Sequence, residues 1–284
     1  MQSIPVFYSP KLVANSHSFS PSAGKPSLAV ESWQALGIPL DIIDPIPVTV
    51  EELCLAHGRI YVENILACCA NNGFGNRFAE VAASLPYTTG AFVCAAREAL
   101  SNGKVAVAPV SGFHHASHDQ ASGFCTFNGL VVAAQVLKKF GLVNKVGILD
   151  FDNHYGDGTV DIIRHLGLEN WLKQYSAGAE YRRADQAEGF LKRIPELVNR
   201  FADCDIILYQ AGADPHIADP LGGWLTTTQL AERDRLVFEN AKSWGIPIAW
   251  NLAGGYQSDF QGVLDIHDNT LKACANVYLG GNHD

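Results

Sequence analysis

The stretch Val146-Gly-Ile-Leu-Asp-Phe-Asp-Asn-His-Tyr-Gly-Asp157 decides the fold. It opens on a short apolar run, Val146 to Leu149, as a strand buried on both faces of a parallel sheet does. It then turns polar at once, placing Asp150, Asp152, His154 and Asp157 within a few residues of one another. A strand that runs out into a polar cluster is the unit from which open α/β sheets build ligand sites, just outside the carboxyl ends of their strands.

The same unit recurs along the chain. Lys104–Val110, Asp205–Tyr209 and Ile246–Leu252 are further apolar strand candidates. They lead into Ser111-Gly-Phe-His-His-Ala116, Gln210-Ala-Gly-Ala-Asp214 and Ala253-Gly-Gly-Tyr256. Helices are expected over Phe127–Phe140, Gln186–Phe201, Thr227–Trp244 and Gln261–Leu279. This alternation predicts an α/β fold with a parallel sheet covered by helices. Four polar clusters at four strand ends predict one shared pocket. The Ser- and Pro-rich segment Ser18–Ser27 reads as a surface loop.

Composition narrows the class. With 284 residues, 48% hydrophobic and 17% charged, the chain reads as a single folded domain over 1–284, large enough to bury a core without staples. A net charge of −9 opposes nucleic acid as the partner, because phosphate binding calls for a basic face, and is compatible with a cationic amine substrate. The seven cysteines are odd in number and form no CxxC pair, so reduced thiols and a cytoplasmic setting are expected. Met1–Phe7 lacks the pattern of a signal peptide, and no run approaches the roughly 20 apolar residues of a membrane span. Oligomeric state leaves no mark in the sequence.

The clusters carry recognisable chemistry. Asp152 and His154 form a D-x-H pair on a loop leaving a strand, where residues two apart point the same way. Asp214 completes an Asp/His/Asp set. Three protein ligands leave a position open, as catalytic zinc sites do, and iron(II) suits the same donors. The tandem His114-His115 supplies two imidazoles for acid, base or electrostatic work, and Asp150 and Asp157 are natural partners for their second ring nitrogens. Tyr256, after Gly254 and Gly255, offers a hydroxyl to a developing oxyanion. Singly, each feature has an ordinary explanation: a chance D-x-H in a loop, a core histidine pair, a buried tyrosine. Their common placement at strand ends is the argument for a site.

Taken in order, five stretches resemble the histone deacetylase superfamily, which includes bacterial deacetylase-like proteins and acetylpolyamine amidohydrolases. They are Gly112-Phe-His-His-Ala116, Ser122-Gly-Phe-Cys-Thr-Phe-Asn128, Leu149–Thr159, Ala211-Gly-Ala-Asp214 continuing to Asp219-Pro-Leu-Gly-Gly223, and Gly254-Gly-Tyr256. The resemblance runs from about residue 50 to 280. It implies an arginase-like three-layer α/β/α fold with a mostly parallel eight-stranded sheet. It implies a zinc-dependent deacylase acting on an acyl-lysine or acylpolyamine, with Asp152, His154 and Asp214 as ligands. It places His115 as general base with Asp157 behind it, His114 as its companion with Asp150 behind it, and Tyr256 at the transition state. Phe124, with Gly123 and Gly254, falls in the acyl pocket, and a structural potassium ion is implied at Asp150 and nearby backbone oxygens.

The chain also departs from the family. Tyr155 stands where many members carry a second histidine, a feature shared with class IV members, as are Gln257 and the Leu-Gly-Gly after Asp219. After Ser176 the run Ala177-Gly-Ala-Glu-Tyr-Arg-Arg-Ala-Asp-Gln-Ala-Glu-Gly-Phe190 has no recognisable glycine-rich loop or second tunnel aromatic, so an altered rim is expected. Two other readings suit the same fold. A dinuclear manganese ureohydrolase would carry D-x-D where this chain has Gly212-Ala-Asp214-Pro-His216. A non-catalytic acyl-amine binding module would have lost a ligand, the base or the tyrosine, and none is missing.

Overall fold

The computed structural model describes residues 1–281. In chain order the elements are β1 (Ile4–Phe7), α1 (Lys25–Ala35), β2 (Leu40–Ile43), α2 (Val50–Leu53), α3 (Arg59–Leu66), α4 (Ala79–Asn102), β3 (Val105–Val107), α5 (Gly129–Lys139), β4 (Val146–Asp150), α6 (Asp157–Leu166), β5 (Leu172–Ser176), α7 (Ala187–Asn199), β6 (Ile206–Gln210), α8 (Thr227–Ser243), β7 (Ile248–Asn251) and α9 (Phe260–Tyr278). Each predicted strand and helix is present, with ends shifted by a few residues.

The strands form one sheet in the order β2-β1-β3-β7-β6-β4-β5, and every pairing is parallel. Successive residues of a strand face opposite sides, so a two-sided core needs apolar residues at both parities. Strand β6 shows this: Ile207 and Tyr209 pack with Trp33, Phe190, Phe238 and Leu271, while Ile206 and Leu208 pack with Leu53, Phe92, Leu130 and Ile162. Helices α1, α7, α8 and α9 therefore cover one face and α2 to α6 the other, the three layers expected.

Local chemistry sets the ends of the elements. Helix α8 starts on a reciprocal capping box between Thr226 and Gln229, and α5 on Asn128, whose side chain accepts from the Val131 N–H. Helix α4 stops at Gly103, in the left-handed conformation with φ of 66°.

Three expectations are corrected. The sheet has seven strands among the described residues, not eight. Strand β5 is an edge, and the chain beyond it turns into helix instead of adding a strand, because the Gln186 side chain accepts from the backbone N–H groups of Arg182 and Arg183 and closes a turn leading into α7. Strand β3 ends at Val107, short of the Val110 expected, because Pro109 has no N–H to continue the ladder. The segment Ser18–Ser27 is not a surface loop: Ser20, Ser22 and Lys25 are buried, and α1 begins within it.

Trp250 on β7 is fully buried between Trp33 and Phe238, with ring centroids 5.5 and 5.9 Å away. Trp250→Ala should cost about 3–5 kcal/mol, since the cavity sits between two packed layers. Trp244→Ala, half-exposed at the end of α8, should stay within about 0.5 kcal/mol. Urea midpoints of the two variants check this; equal small effects would contradict the packing described.

Candidate metal centre and its surroundings

The strands that carry the four polar clusters, β3, β7, β6 and β4, are consecutive in the sheet. Their register places Asp150 beside Gln210 and Gln210 beside Asn251. Gln210 then links two loops: its Nε2 donates to Asp150 Oδ1 at 3.0 Å and its Oε1 accepts from the Phe113 N–H at 3.1 Å. The single pocket predicted from the strand ends is formed. His114, His115, Gly123, Phe124, Cys125, Asp152, His154, Leu221, Gly254 and Tyr256 surround a cavity of about 160 Å³.

At its floor, ligand atoms of Asp152, His154 and Asp214 lie within 4.8 Å of one another. His154 Nδ1 is 3.2 Å from Asp152 Oδ1 and 3.0 Å from Asp214 Oδ2. Its Nε2 donates to the Leu221 carbonyl at 3.2 Å, which turns Nδ1 toward the carboxylates, the usual way a ligating imidazole is oriented. Each carboxylate is also held by the backbone: Gly254 N–H donates to Asp152 Oδ2 at 2.9 Å and Asn153 N–H to Asp214 Oδ1 at 3.2 Å. Hydrogen bonds that His154 donates to Asp152 and Asp214 raise its pKa to about 11. Burial and the neighbouring Asp152 push Asp214 up to about 7. Burial alone would also raise Asp152, but His114 and His154 hold it well below the usual carboxylate range. Two oriented carboxylates and one imidazole, all facing one point, fit a divalent ion with an open position.

The two histidines have separate acidic partners. His114 Nδ1 donates to Asp150 Oδ2 at 2.8 Å, and His115 Nδ1 to Asp157 Oδ1 at 2.6 Å. Burial works against charging His114, but Asp150 and Asp152 outweigh it and raise its pKa to about 9. His115 is lowered, by burial and by the charge of His114, despite Asp157. The tandem thus pairs an imidazole shifted up with one shifted down, with rings 4.1 Å apart. Tyr256 is held by its backbone N–H on Asp219 Oδ2 at 2.7 Å, with Ser22 a hydrogen-bonding neighbour of its hydroxyl. Burial keeps that hydroxyl protonated far above its ordinary range, so it is a donor.

Phe124 stands in the wall with φ of 63°, strained for a residue with a side chain, and packs on Tyr256 at 5.6 Å, Phe19 at 5.2 Å and Phe74 at 6.0 Å. Two glycines are required by space. A Cβ on Gly123 would lie 2.4 Å from His115 Cδ2, and one on Gly254 would lie 2.5 Å from Asp214 Oδ2. The run after Ser176 supplies no aromatic to the cavity: Tyr181 is buried and stacks on Trp224 in the core.

All predicted site residues surround this centre, and several others were not predicted. Arg233, fully buried on α8, donates to the carbonyls of Phe151 at 3.2 Å and Gly212 at 2.7 Å, one residue before Asp152 and two before Asp214. It ties the two ligand loops together from below, neutralised by Asp234, which also accepts from Tyr209 and Thr270. Lys25 Nζ donates to the Ala253 carbonyl at 2.6 Å, just before Gly254. Burial brings its pKa down to about 8, against the pull of Asp214 and Asp152. The one signal for Arg233 was a charged pair inside the stripe Leu230, Asp234, Val237, Ala241 of a helix; Lys25 and Ser22 gave none. All seven cysteines are free thiols, as expected, and no described helix is long and apolar enough to cross a membrane.

Such a fold and site define an α/β sheet protein with an Asp/His/Asp metal centre flanked by two His–Asp pairs. Residues 22–167 and 172–270 match the histone deacetylase domain, and the chain belongs to the histone deacetylase family. It is 29% identical over 206 residues to an uncharacterised protein of Picosynechococcus sp., covering 66% of this chain and 68% of that protein. It is 27% identical over 266 residues to the chloroplastic histone deacetylase 10 of Oryza sativa subsp. japonica, covering 76% of this chain but only 59% of that relative. The crystal structure of the HDA15 HD domain superposes with a TM-score of 0.78 at 19% identity, over 99% of this chain and 90% of that one, which shows the shared fold.

The glycine at 254 leaves no room for a side chain beside two of the candidate ligands. Gly254→Ala should keep the fold but lower zinc affinity by about 10–100-fold, since the methyl would collide with Asp214 and displace its neighbour Asp152. Competition with a chromogenic chelator measures this. Wild-type affinity in the variant would show that the ligand set is not where the structure puts it.

Proposed function

We propose that the protein is a single-ion, zinc-type deacylase that hydrolyses an acylated amine such as an acyl-lysine or acylpolyamine. The observation that carries this reading is the pairing of an Asp152/His154/Asp214 set with two oppositely tuned His–Asp pairs and a protonated tyrosine around one cavity. Membership of the histone deacetylase family supports it.

Asp152, His154 and Asp214 would hold the ion, with iron(II) as a substitute, and when bound such an ion acidifies water and polarises a carbonyl. His115, neutral at Nε2 and oriented by Asp157, accepts the proton of the attacking water and returns one to the leaving amine. His114, held cationic by Asp150, stabilises negative charge as the carbonyl becomes tetrahedral. Tyr256 donates its hydroxyl hydrogen to the same oxyanion, and Asp219 fixes where that tyrosine stands. Phe124, Gly123 and Gly254 shape the pocket for the acyl group. Asp150 and nearby backbone oxygens would hold a structural potassium ion. Amine substrates are the partners, with nucleic acid and membrane excluded from the proposal, and the cytoplasm is the proposed location.

A binding module is disfavoured, because strain at Phe124 and a buried cationic histidine are costs that binding alone does not require. A dinuclear ureohydrolase is disfavoured because Asp152, His154 and Asp214 are the one candidate ligand group among the described residues.

Two variants test the roles. His115→Ala should keep its metal and lose about 10²–10⁴-fold in turnover of an acetyl-lysine substrate. Tyr256→Phe should keep metal and KM while kcat falls by about 10²–10³-fold, because the lost hydrogen bond strengthens only in the transition state. Near-normal kcat in either metal-loaded variant would remove that residue from the mechanism.

A further inference from the structure

A second, outer lobe of about 450 Å³ adjoins the catalytic cavity. His115, His154 and Leu221 line both, so the lobes share a wall at the candidate metal centre. The inner lobe is lined by the buried Ser22 and Cys125 together with Gly112, and accommodates the acyl group. The outer lobe therefore receives what is attached to the amine. Its own residues are Asn153, Tyr155, Asp157, Arg182, Gly222 and Gly223.

Arg182 is the distinctive member. It lies in the run after β5 where the family's glycine-rich loop has no counterpart. Its Nη2 donates to the Gly178 carbonyl at 3.3 Å, and Gly178 packs so closely on the His154 backbone that a Cβ there would lie 2.3 Å from the His154 carbonyl carbon. The guanidinium is thereby anchored at the exposed edge of the outer lobe, yet it forms no ion pair among the described residues. Its neighbour Arg183 is different: it is bidentate to Asp185. The one carboxylate in the outer lobe, Asp157, has its Oδ1 engaged by His115 and the Gly158 N–H. An arginine with four unspent N–H donors at the edge of a cleft is matched by a planar anion, to which it binds through two parallel hydrogen bonds.

Resting on the deacylase reading above, we infer that the preferred substrate is an acylated amine whose amine portion carries a carboxylate, bound by Arg182 in the outer lobe. This class includes an Nε-acyl-lysine with a free α-carboxylate, as a single amino acid or at a chain end. Among the acylated amines proposed above, acylpolyamines, which place a cation in the same lobe, rank below this class.

Three probes decide it: Nα-tosyl-Nε-acetyl-lysine as the free acid, its N-methylamide, and Nα-tosyl-Nε-succinyl-lysine N-methylamide, each with zinc-loaded protein. The free acid should exceed the acetyl amide in kcat/KM by about three- to tenfold, through KM, with the gap narrowing at high salt. Arg182→Gln should abolish the gap, while Arg183→Gln, which removes the same charge one residue away, should retain it. Equal rates for acid and amide in the wild type, a preference that survives Arg182→Gln, or an equal loss in Arg183→Gln would overturn the inference. Faster cleavage of the succinyl amide than of the acetyl acid would overturn it too, by putting the carboxylate on the acyl side. Calorimetric binding of the acid and the acetyl amide to Tyr256→Phe keeps the two readings apart. No turnover by the wild type combined with tighter binding of the acid would overturn the deacylase reading alone; equal binding would overturn the carboxylate site.

Discussion

Two buried carboxylates held side by side, Asp152 and Asp214, are the constraint on which the rest of this structure depends. Like charges in a low-dielectric interior repel strongly, so the arrangement persists only with positive charge nearby. Four sources supply it. His154 bridges both carboxylates, His114 stands 3.6 Å from Asp152, Arg233 draws their two loops together through the Phe151 and Gly212 carbonyls, and Lys25 approaches through the Ala253 carbonyl. The same geometry that makes the pair costly makes it a good receptor for a divalent ion. Holding the donors ready before an ion arrives is what a precise site requires.

The parallel sheet delivers these groups to one place. Because β3, β7, β6 and β4 are neighbours with a common direction, their carboxyl ends line up, and whatever follows them meets. The burial of the strands makes the ends precise. Layers on both faces leave β4 and β6 no freedom to slide, so Asp150 and Gln210 remain in register and Gln210 can join the histidine loop to the ligand loop. The histidines then differ because their surroundings differ. His114 is enclosed with two aspartates and gains a proton, while His115, nearer the surface and beside that charge, gives one up. Pairs of titratable groups pushed apart in this way are the signature of acid–base work.

What was legible in the sequence was whatever repeats a local rule. Asp152 and His154 are two apart on a strand exit, Asp214 follows the next apolar run, and the His114-His115 tandem follows another, so alternation and strand ends sufficed to bring them together. The four helices that lie between and after those strands, α5, α7, α8 and α9, were legible to within a few residues, whereas α1 to α4 and α6 were not. The groups that support the site from beneath were not legible. Lys25 sits in a Ser- and Pro-rich stretch that reads as loop, and its burial depends on the distant Ala253 carbonyl. Arg233 interrupts a helical stripe, and only the fold reveals that the interruption faces two carbonyls. The strand count failed for a related reason: the turn that replaces an eighth strand is closed by one side chain, Gln186, acting on two N–H groups. The altered rim after Ser176 was anticipated as a departure, but its content, Arg182 facing a second lobe, needed the structure.

The central claim is that one ion, held by Asp152, His154 and Asp214, makes this chain a deacylase. It is tested most directly by titrating zinc into metal-free protein while following hydrolysis of an acetyl-lysine substrate. Turnover should rise linearly and level off at one equivalent per chain, and Asp214→Ala should stay flat over the same range. A plateau at two equivalents, or hydrolysis that is unchanged in the metal-free protein, would contradict the account.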